Sequence, residues 1–297
     1  MSTPSSAASS AVDELIVWCA AHPLPDTDAD RFLRHLNSGP TAIIDRRNEG
    51  VVCIILDRAR SGTGCSPVEL AGLRPGAMTD ALAESLVKEI AERSSRLGLK
   101  GVDLMITPEW TPHRRGIENA GFTYAYGDLD MSCARPDWGQ DMPVPDGLAW
   151  RDLDTSLIEE FLRVYRAAFA DLPGVYFADE AEQRRVLTVG RGAVRVLCDG
   201  SRILAALRYA PEEAFLHSIV RDPEAKGRGL GRLMLDEARR RLPVRALTLN
   251  VVSSNRVALD LYKRHGFAIT ADRDVLSRPT ITTVTKNPLS PCGRGLG

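Results

Sequence analysis

The 297-residue sequence has little excess of charge of either sign. It contains 38 basic and 39 acidic residues, for a formal net charge of −1. A protein with no net field has no long-range attraction to nucleic acid or to an anionic membrane surface. The sequence also lacks an apolar run near the roughly 18 residues that a membrane helix requires. We therefore predict that neither nucleic acid nor a membrane is a partner of this protein.

Cysteine motifs and a secretory leader are also missing. The 6 cysteines are scattered, form no Cys-x-x-Cys pair and have no accompanying histidine cluster. This pattern predicts reduced thiols and no metal site. Residues 1–11 lack the basic and apolar zones of a secretory signal, so we expect a cytoplasmic location. We interpret residues 1–11 as a disordered lead-in and the Pro/Gly-rich residues 287–297 as a disordered tail.

The sequence does contain a glycine loop between a strand-like run and a helical pattern. The apolar run Ala214 to Val220 leads to Lys226-Gly227-Arg228-Gly229-Leu230-Gly231, and an amphipathic pattern follows to Leu242. The first N–H groups of a helix have no intrahelical partner, and glycine lets the backbone approach a phosphate closely. The spacing fits neither the P-loop nor the dinucleotide fingerprint. It predicts an anion-binding loop, with a flexible surface loop as the alternative.

A second ordered block spans Leu247 to Phe267. A strand-like run that includes Asn250 leads to Asn255, which is a favoured residue at the start of a helix. Tyr262 lies seven residues further on and therefore returns to the same helical face. The block closes with Gly266-Phe267.

Together the two blocks resemble the GNAT acetyltransferase superfamily over about Leu148 to Lys286. The glycine loop resembles the family's acyl-CoA loop, Arg/Gln-x-x-Gly-x-Gly/Ala, with Lys226 at the first position. The second block resembles the family's strand–Asn–helix–Tyr–Gly-Phe segment. The resemblance implies acetyl-CoA as a co-substrate, bound by Ile219, Val220, Arg221, Lys226, Gly227, Arg228, Gly229, Leu230, Gly231, Arg232, Asn250 and Asn255.

The strand before the glycine loop is expected to carry much of the mechanism. Side chains alternate along a strand, which predicts that Phe215, His217, Ile219 and Arg221 share one face. The resemblance implies that this strand splays from its neighbour, so that the amides of residues 219–221 face the thioester.

The resemblance also implies a base and an acid for the transfer. In the family, this strand region carries the group that takes a proton from the acceptor amine, and His217 lies there. An imidazole, with a pKa ordinarily near 6.5, suits that task, although Glu213 or a water chain are alternatives. Tyr262 matches the tyrosine that protonates the leaving thiolate, and a structural core tyrosine is the alternative.

The first half repeats the order of the second half. A helix Asp80 to Leu97, capped by Thr79, and a strand Val102 to Ile106 are followed by Gly121-Phe122 and another strand. We therefore predict an α/β fold with a mixed sheet, in which two tandem GNAT-like domains each have a mostly antiparallel sheet flanked by helices. The predicted boundaries are 12–133 and 148–286, with a linker at 134–147.

We interpret the first copy as degenerate. Pro75 removes a backbone donor where alternating glycines are expected, and no tyrosine matches Tyr262. We therefore expect the first half not to bind CoA. It either supplies one wall of the acceptor site or serves only as a structural platform.

The function predicted from these motifs is direct acetyl transfer from acetyl-CoA to a primary amine of a small molecule or peptide. The alternatives are a non-catalytic acyl-CoA-binding sensor and a tandem acetyltransferase resembling mycothiol synthase. The resemblance implies that two helices line the acceptor pocket, and the aromatic candidates near them are Tyr165, Tyr176 and Phe177. The sequence names neither the acceptor nor the oligomeric state.

Overall fold

The computed structural model describes most of the chain between residues 13 and 279. The described residues are 13–19, 32, 36, 40, 42–56, 59–60, 65–72, 76, 78–108, 110–134, 142–177, 180–189, 193–242 and 246–279. The predicted lead-in and tail lie outside them.

The first half alternates strands with two helices after a helical segment at residues 13–19. Its elements are β1 (Ala42–Arg46), β2 (Val51–Ile55), β3 (Ala59–Arg60), β4 (Ser66–Gly72), α1 (Asp80–Arg96), β5 (Gly101–Met105), α2 (Arg114–Asn119) and β6 (Thr123–Cys133).

The second half repeats the succession of strand, helix, strand, helix and strand at its C-terminal end. Its elements are β7 (Leu148–Asp152), α3 (Ile158–Phe169), β8 (Tyr176–Phe177), α4 (Glu180–Val189), β9 (Ala193–Asp199), β10 (Arg202–Ala210), β11 (Phe215–Arg221), α5 (Leu230–Arg241), β12 (Leu247–Val252), α6 (Arg256–Arg264) and β13 (Ala268–Pro279).

Eleven of these strands form one continuous sheet. Their order is β1-β2-β4-β5-β13-β6-β12-β11-β10-β9-β7. The predicted mixed sheet with flanking helices is confirmed, because parallel pairs β4–β5 and β11–β12 are embedded among antiparallel ones. The sheet runs through both halves without interruption, so the strands of the two halves are joined into one sheet.

The sheet is continuous because the two halves exchange their last strands. Strand β6 of the first half pairs with β12, and β13 of the second half pairs with β5, while β6 and β13 pair with each other. Buried backbone groups require hydrogen-bond partners, so each half completes the ladder of the other. The domain boundaries at 134–147 remain a prediction, and a cut there would still leave the two halves joined by these pairings.

Helices pack on the sheet and enclose apolar clusters. In the second half, α5 and α6 cover one face through a cluster that includes Leu216, Leu233 and Tyr262. Helix α3 covers the other face with Phe161, Val164 and neighbouring strand residues. Among the described residues, no helix combines the length and apolar character that a membrane span demands.

Candidate active site

Strands β11 and β12 form an open wedge. Within the described part of the chain they pair only at Phe215–Thr248 and Leu216–Leu249, although β11 continues to Arg221. The Asp222 N–H donates to the Leu204 oxygen at 2.9 Å on the β10 side. Successive N–H groups of a strand point to opposite edges, so the amides of Ile219 and Arg221 face the wedge and that of Val220 faces β10.

A β-bulge interrupts β11 at His217. The register with β10 moves from Arg208–Ser218 to Tyr209–Leu216, which leaves His217 as the extra residue. Leu216 and Ile219 consequently pack toward α5, whereas Val220 packs toward α3. The predicted common face of Phe215, His217, Ile219 and Arg221 is therefore wrong, because a bulge shifts the alternation by one residue.

The imidazole of His217 is solvent-exposed and stays next to Phe215. The two rings lie 5.0 Å apart in an edge-on arrangement. A bulge commonly re-aims a side chain at the rim of a site. Here the bulge places His217 in a cavity at the closed end of the wedge.

The glycine loop leads from the wedge into α5. A short 3-10 turn, Pro223–Ala225, is followed by Gly227 and Gly229, whose φ angles of 84° and 72° favour glycine. Gly229 is the N-cap of α5 and supplies no side-chain cap. The first amides of this helix are thus available to an external anion.

Gly231 has a packing role in addition. A Cβ at this position would lie 3.0 Å from Leu261 Cδ2, so glycine allows α6 to approach the first turn of α5 closely. Leu261 precedes Tyr262. The fold therefore brings the glycine loop and Tyr262 to adjoining helices.

Tyr262 is buried at 7% exposure and contacts Phe267, with ring centroids 5.6 Å apart. Burial raises the pKa of its phenol above the ordinary value near 10. The group therefore keeps its proton throughout the neutral range and is able to donate it.

The remaining predicted cofactor residues lie in the glycine loop, in α5, in β12 and at the start of α6. Lys226 and Arg228 are exposed, Leu230 is buried in the core, and Arg232 pairs with the buried Asp236 at 3.0 Å. The predicted helix cap at Asn255 is confirmed, since Asn255 Oδ1 accepts a hydrogen bond from the Ala258 N–H at 3.2 Å. Asn250 instead lines the cavity and its side chain contacts Asp130 of β6.

The cavity has a volume of about 730 Å³ and lies between the two halves. His217 and Glu213 line it from the second half. Of the aromatic candidates, Tyr176 lines the cavity, whereas Tyr165 packs against Phe169 at 4.9 Å and Phe177 at 6.1 Å.

The corresponding helix start in the first half is closed. Thr79 caps α1, with its Oγ1 accepting from the Leu82 N–H at 3.2 Å. The next residue, Asp80, adds a carboxylate that lies 2.6 Å from His113. The Thr79 side chain and the Asp80 carboxylate thus occupy, at the start of α1, the space that Gly229 leaves open at the start of α5.

Two features of the site were missed from the sequence. Asp222, at 1% exposure, anchors the start of the glycine loop by accepting from Arg163 at 2.7 Å and Arg202 at 3.3 Å. The second is the set of carboxyl groups that the first half contributes to the cavity. Both depend on contacts between residues distant in the chain, for which local patterns give no signal.

Comparison with known families finds a match in the second half of the chain. Residues 148–267 match the model of the acetyltransferase (GNAT) family. These residues form a GNAT domain. No curated protein matches the chain by sequence.

Solved structures extend the likeness in fold beyond the GNAT domain. A GCN5-related N-acetyltransferase from Sphaerobacter thermophilus aligns with a TM-score of 0.64 and 18% identity over 86% of this chain and 87% of its own. A tandem GNAT protein from the clavulanic acid biosynthesis pathway aligns with a TM-score of 0.58 and 13% identity. The alignment covers 92% of this chain and 95% of that protein. At these identities the comparison shows that the fold of both halves is shared.

Proposed function

We propose that the protein is an acetyl-CoA-dependent N-acetyltransferase that transfers the acetyl group directly to a primary amine. The observation that carries this proposal is that three features lie on neighbouring elements: the wedge between β11 and β12, the uncapped start of α5 at Gly229, and the buried Tyr262 on the adjoining helix α6. A diphosphate fits the uncapped helix start, and a thioester then fits the wedge.

In the proposed reaction the acceptor amine attacks the thioester carbonyl carbon from the cavity. The N–H groups of Ile219 and Arg221 stabilise the negative charge that develops on the carbonyl oxygen. A C–N bond forms and the C–S bond breaks. His217 takes the proton from the amine nitrogen, and Tyr262 donates its proton to the leaving sulfur.

The same reasoning supports a CoA site in the second half only. The capped helix start at Thr79 and the carboxylate of Asp80 disfavour a diphosphate in the first half, since a phosphate would meet negative charge there. We therefore propose that the first half is a degenerate GNAT copy. The first half forms one wall of the cavity.

The proposal is tested by release of the CoA thiol from acetyl-CoA with a panel of primary amines. We expect His217→Gln to lower kcat/KM for the amine by about 100-fold near pH 7, a typical contribution of a general base. Because only the neutral fraction of the amine then reacts, the rate of the variant should keep rising with pH up to the pKa of the amine.

Glu213→Gln is the matched variant, since Glu213 lines the same cavity as His217 and is the alternative base. It should keep a rate near that of the wild type if His217 is the base. A large loss in Glu213→Gln alone would assign the base to Glu213. Binding of acetyl-CoA without turnover for any amine would support a sensor and contradict the proposed reaction.

A further inference from the structure

The cavity is a groove that crosses six neighbouring strands of the sheet. Its lining includes residues of β4, β5, β13, β6, β12 and β11, in that spatial order. Neighbouring strands lie about 4.8 Å apart, so the path along the sheet from β4 to β11 is roughly 24 Å. His217 lies at one end and Glu69, on β4 of the first half, lies at the other. The space therefore suits an elongated acceptor better than a compact one.

The first half holds part of the second half in place along this groove. Strand β3 pairs with β8, and Tyr176 of β8 donates to Asp103 Oδ2 of β5 at 3.0 Å. Tyr126 of β6 contacts the same phenol at 2.8 Å. Burial, with Tyr126 and Asp103 nearby, raises the pKa of Tyr176, so the phenol remains a donor. The groove is thus built jointly by the two halves.

The charges of the groove have one predominant sign. Among the described lining residues, a single guanidinium, that of Arg273, is outnumbered by five carboxyl groups, which belong to Glu69, Asp103, Asp128, Asp130 and Glu213. Arg273 lies between two of them, 3.3 Å from Asp128 and 2.7 Å from Asp130. Four of the five carboxyl groups come from the first half. A concave surface of this kind concentrates cations.

The groove is also lined by apolar side chains. They include Val68, Met105, Met131, Val275 and Phe215. A lining that combines carboxyl groups with apolar side chains is complementary to a flexible chain in which cationic groups are separated by methylenes.

We infer that the acceptor is an elongated aliphatic amine with at least one further cationic group, and that the carboxylates of the first half select it. The inference rests on the proposed function. The reacting amine lies at His217, and the distal ammonium lies toward Asp128 and, for longer chains, Glu69. The first half is then the specificity-determining wall of the acetyltransferase.

The test compares α,ω-diaminoalkanes of four to twelve carbons with 1-aminoalkanes of the same length. The readout is the ratio of kcat/KM for the diamine to that for the monoamine, measured by CoA thiol release. In the wild type we expect this ratio to be at least about tenfold for the longer chains. We expect Asp128→Asn to bring it toward one, and Glu69→Gln to lower it for the longest chains only, because each removes a partner of the distal ammonium.

Glu84→Gln is the matched control, since Glu84 is a half-exposed carboxylate of the first half that lies on α1, outside the groove, and pairs with the solvent-exposed Lys88 at 2.5 Å. It should keep the wild-type ratio. Because the monoamine reports on the same preparation, loss of folding lowers both rates and leaves the ratio intact. The inference is overturned if the ratio is near one in the wild type, or if neither groove variant changes the ratio. Absence of transfer to every amine would instead contradict the proposed function.

Discussion

Replacement of Gly229 by valine is expected to weaken acetyl-CoA binding by about 100-fold. Gly229 has a φ of 72°, and among the described residues no atom apart from those of its chain neighbours lies within 4 Å of the position that a Cβ would take. A valine side chain would thus occupy the open space before the first amides of α5, where the diphosphate is expected. Hydrogen bonds to a charged group contribute about 1.5–3 kcal/mol each, and about 2.7 kcal/mol corresponds to two orders of magnitude in affinity.

A matched variant separates the loss of acetyl-CoA binding from the backbone strain that any side chain causes at a positive φ. Gly200 also has a positive φ, of 59°, with open space around the missing Cβ, but it lies in the turn between β9 and β10. Gly200→Val should lose comparable stability and retain the wild-type affinity in calorimetric titrations. Equal affinities of the Gly229 variant and the wild type would remove the glycine loop as the diphosphate site.

Replacement of Tyr262 by phenylalanine is expected to lower kcat by about 100-fold with little change in acetyl-CoA affinity. The phenol is the proposed proton donor to the leaving thiolate, and general acids typically contribute 10²–10⁴-fold. Burial raises its pKa, so the wild-type rate should show no loss that follows titration of this group between pH 6 and 9. Stopped assays with saturating acetyl-CoA measure kcat, and direct titration measures affinity.

Tyr209→Phe provides the control for this prediction. Tyr209 is 5% exposed and belongs to the same apolar cluster as Tyr262, and burial likewise raises the pKa of its phenol. The two variants remove the same atom from the same core, so their melting temperatures should shift alike. A similar kcat in both variants would leave Tyr262 with a structural role only.

The sequence predicted those parts of the fold that local signals determine. The cap of Thr79 and the helix after it, the cap of Asn255, and the strand and helix on either side of the glycine loop all follow from residues close together in the chain. A short polar side chain at a helix start, or a run of alternating glycines, has the same physical consequence wherever it occurs.

The remaining features arise from contacts between distant residues. The exchange of β6 and β13 requires both halves to be present, and the strand patterns of Thr123–Cys133 and Ala268–Pro279 are compatible with either pairing. The bulge at His217 depends on the register with β10, so alternation counted along the strand alone gave the wrong face for Ile219. The acidic groove likewise gathers residues more than 100 positions apart in the sequence.

The central claim is that one acyl-CoA site exists, at the glycine loop of the second half, and it is tested most directly by calorimetric titration of the purified full-length chain with acetyl-CoA. We predict saturable binding at one molecule per chain, because Gly229 leaves one helix start open while Thr79 and Asp80 close the other. Failure to bind, or binding of two molecules per chain, would contradict this account.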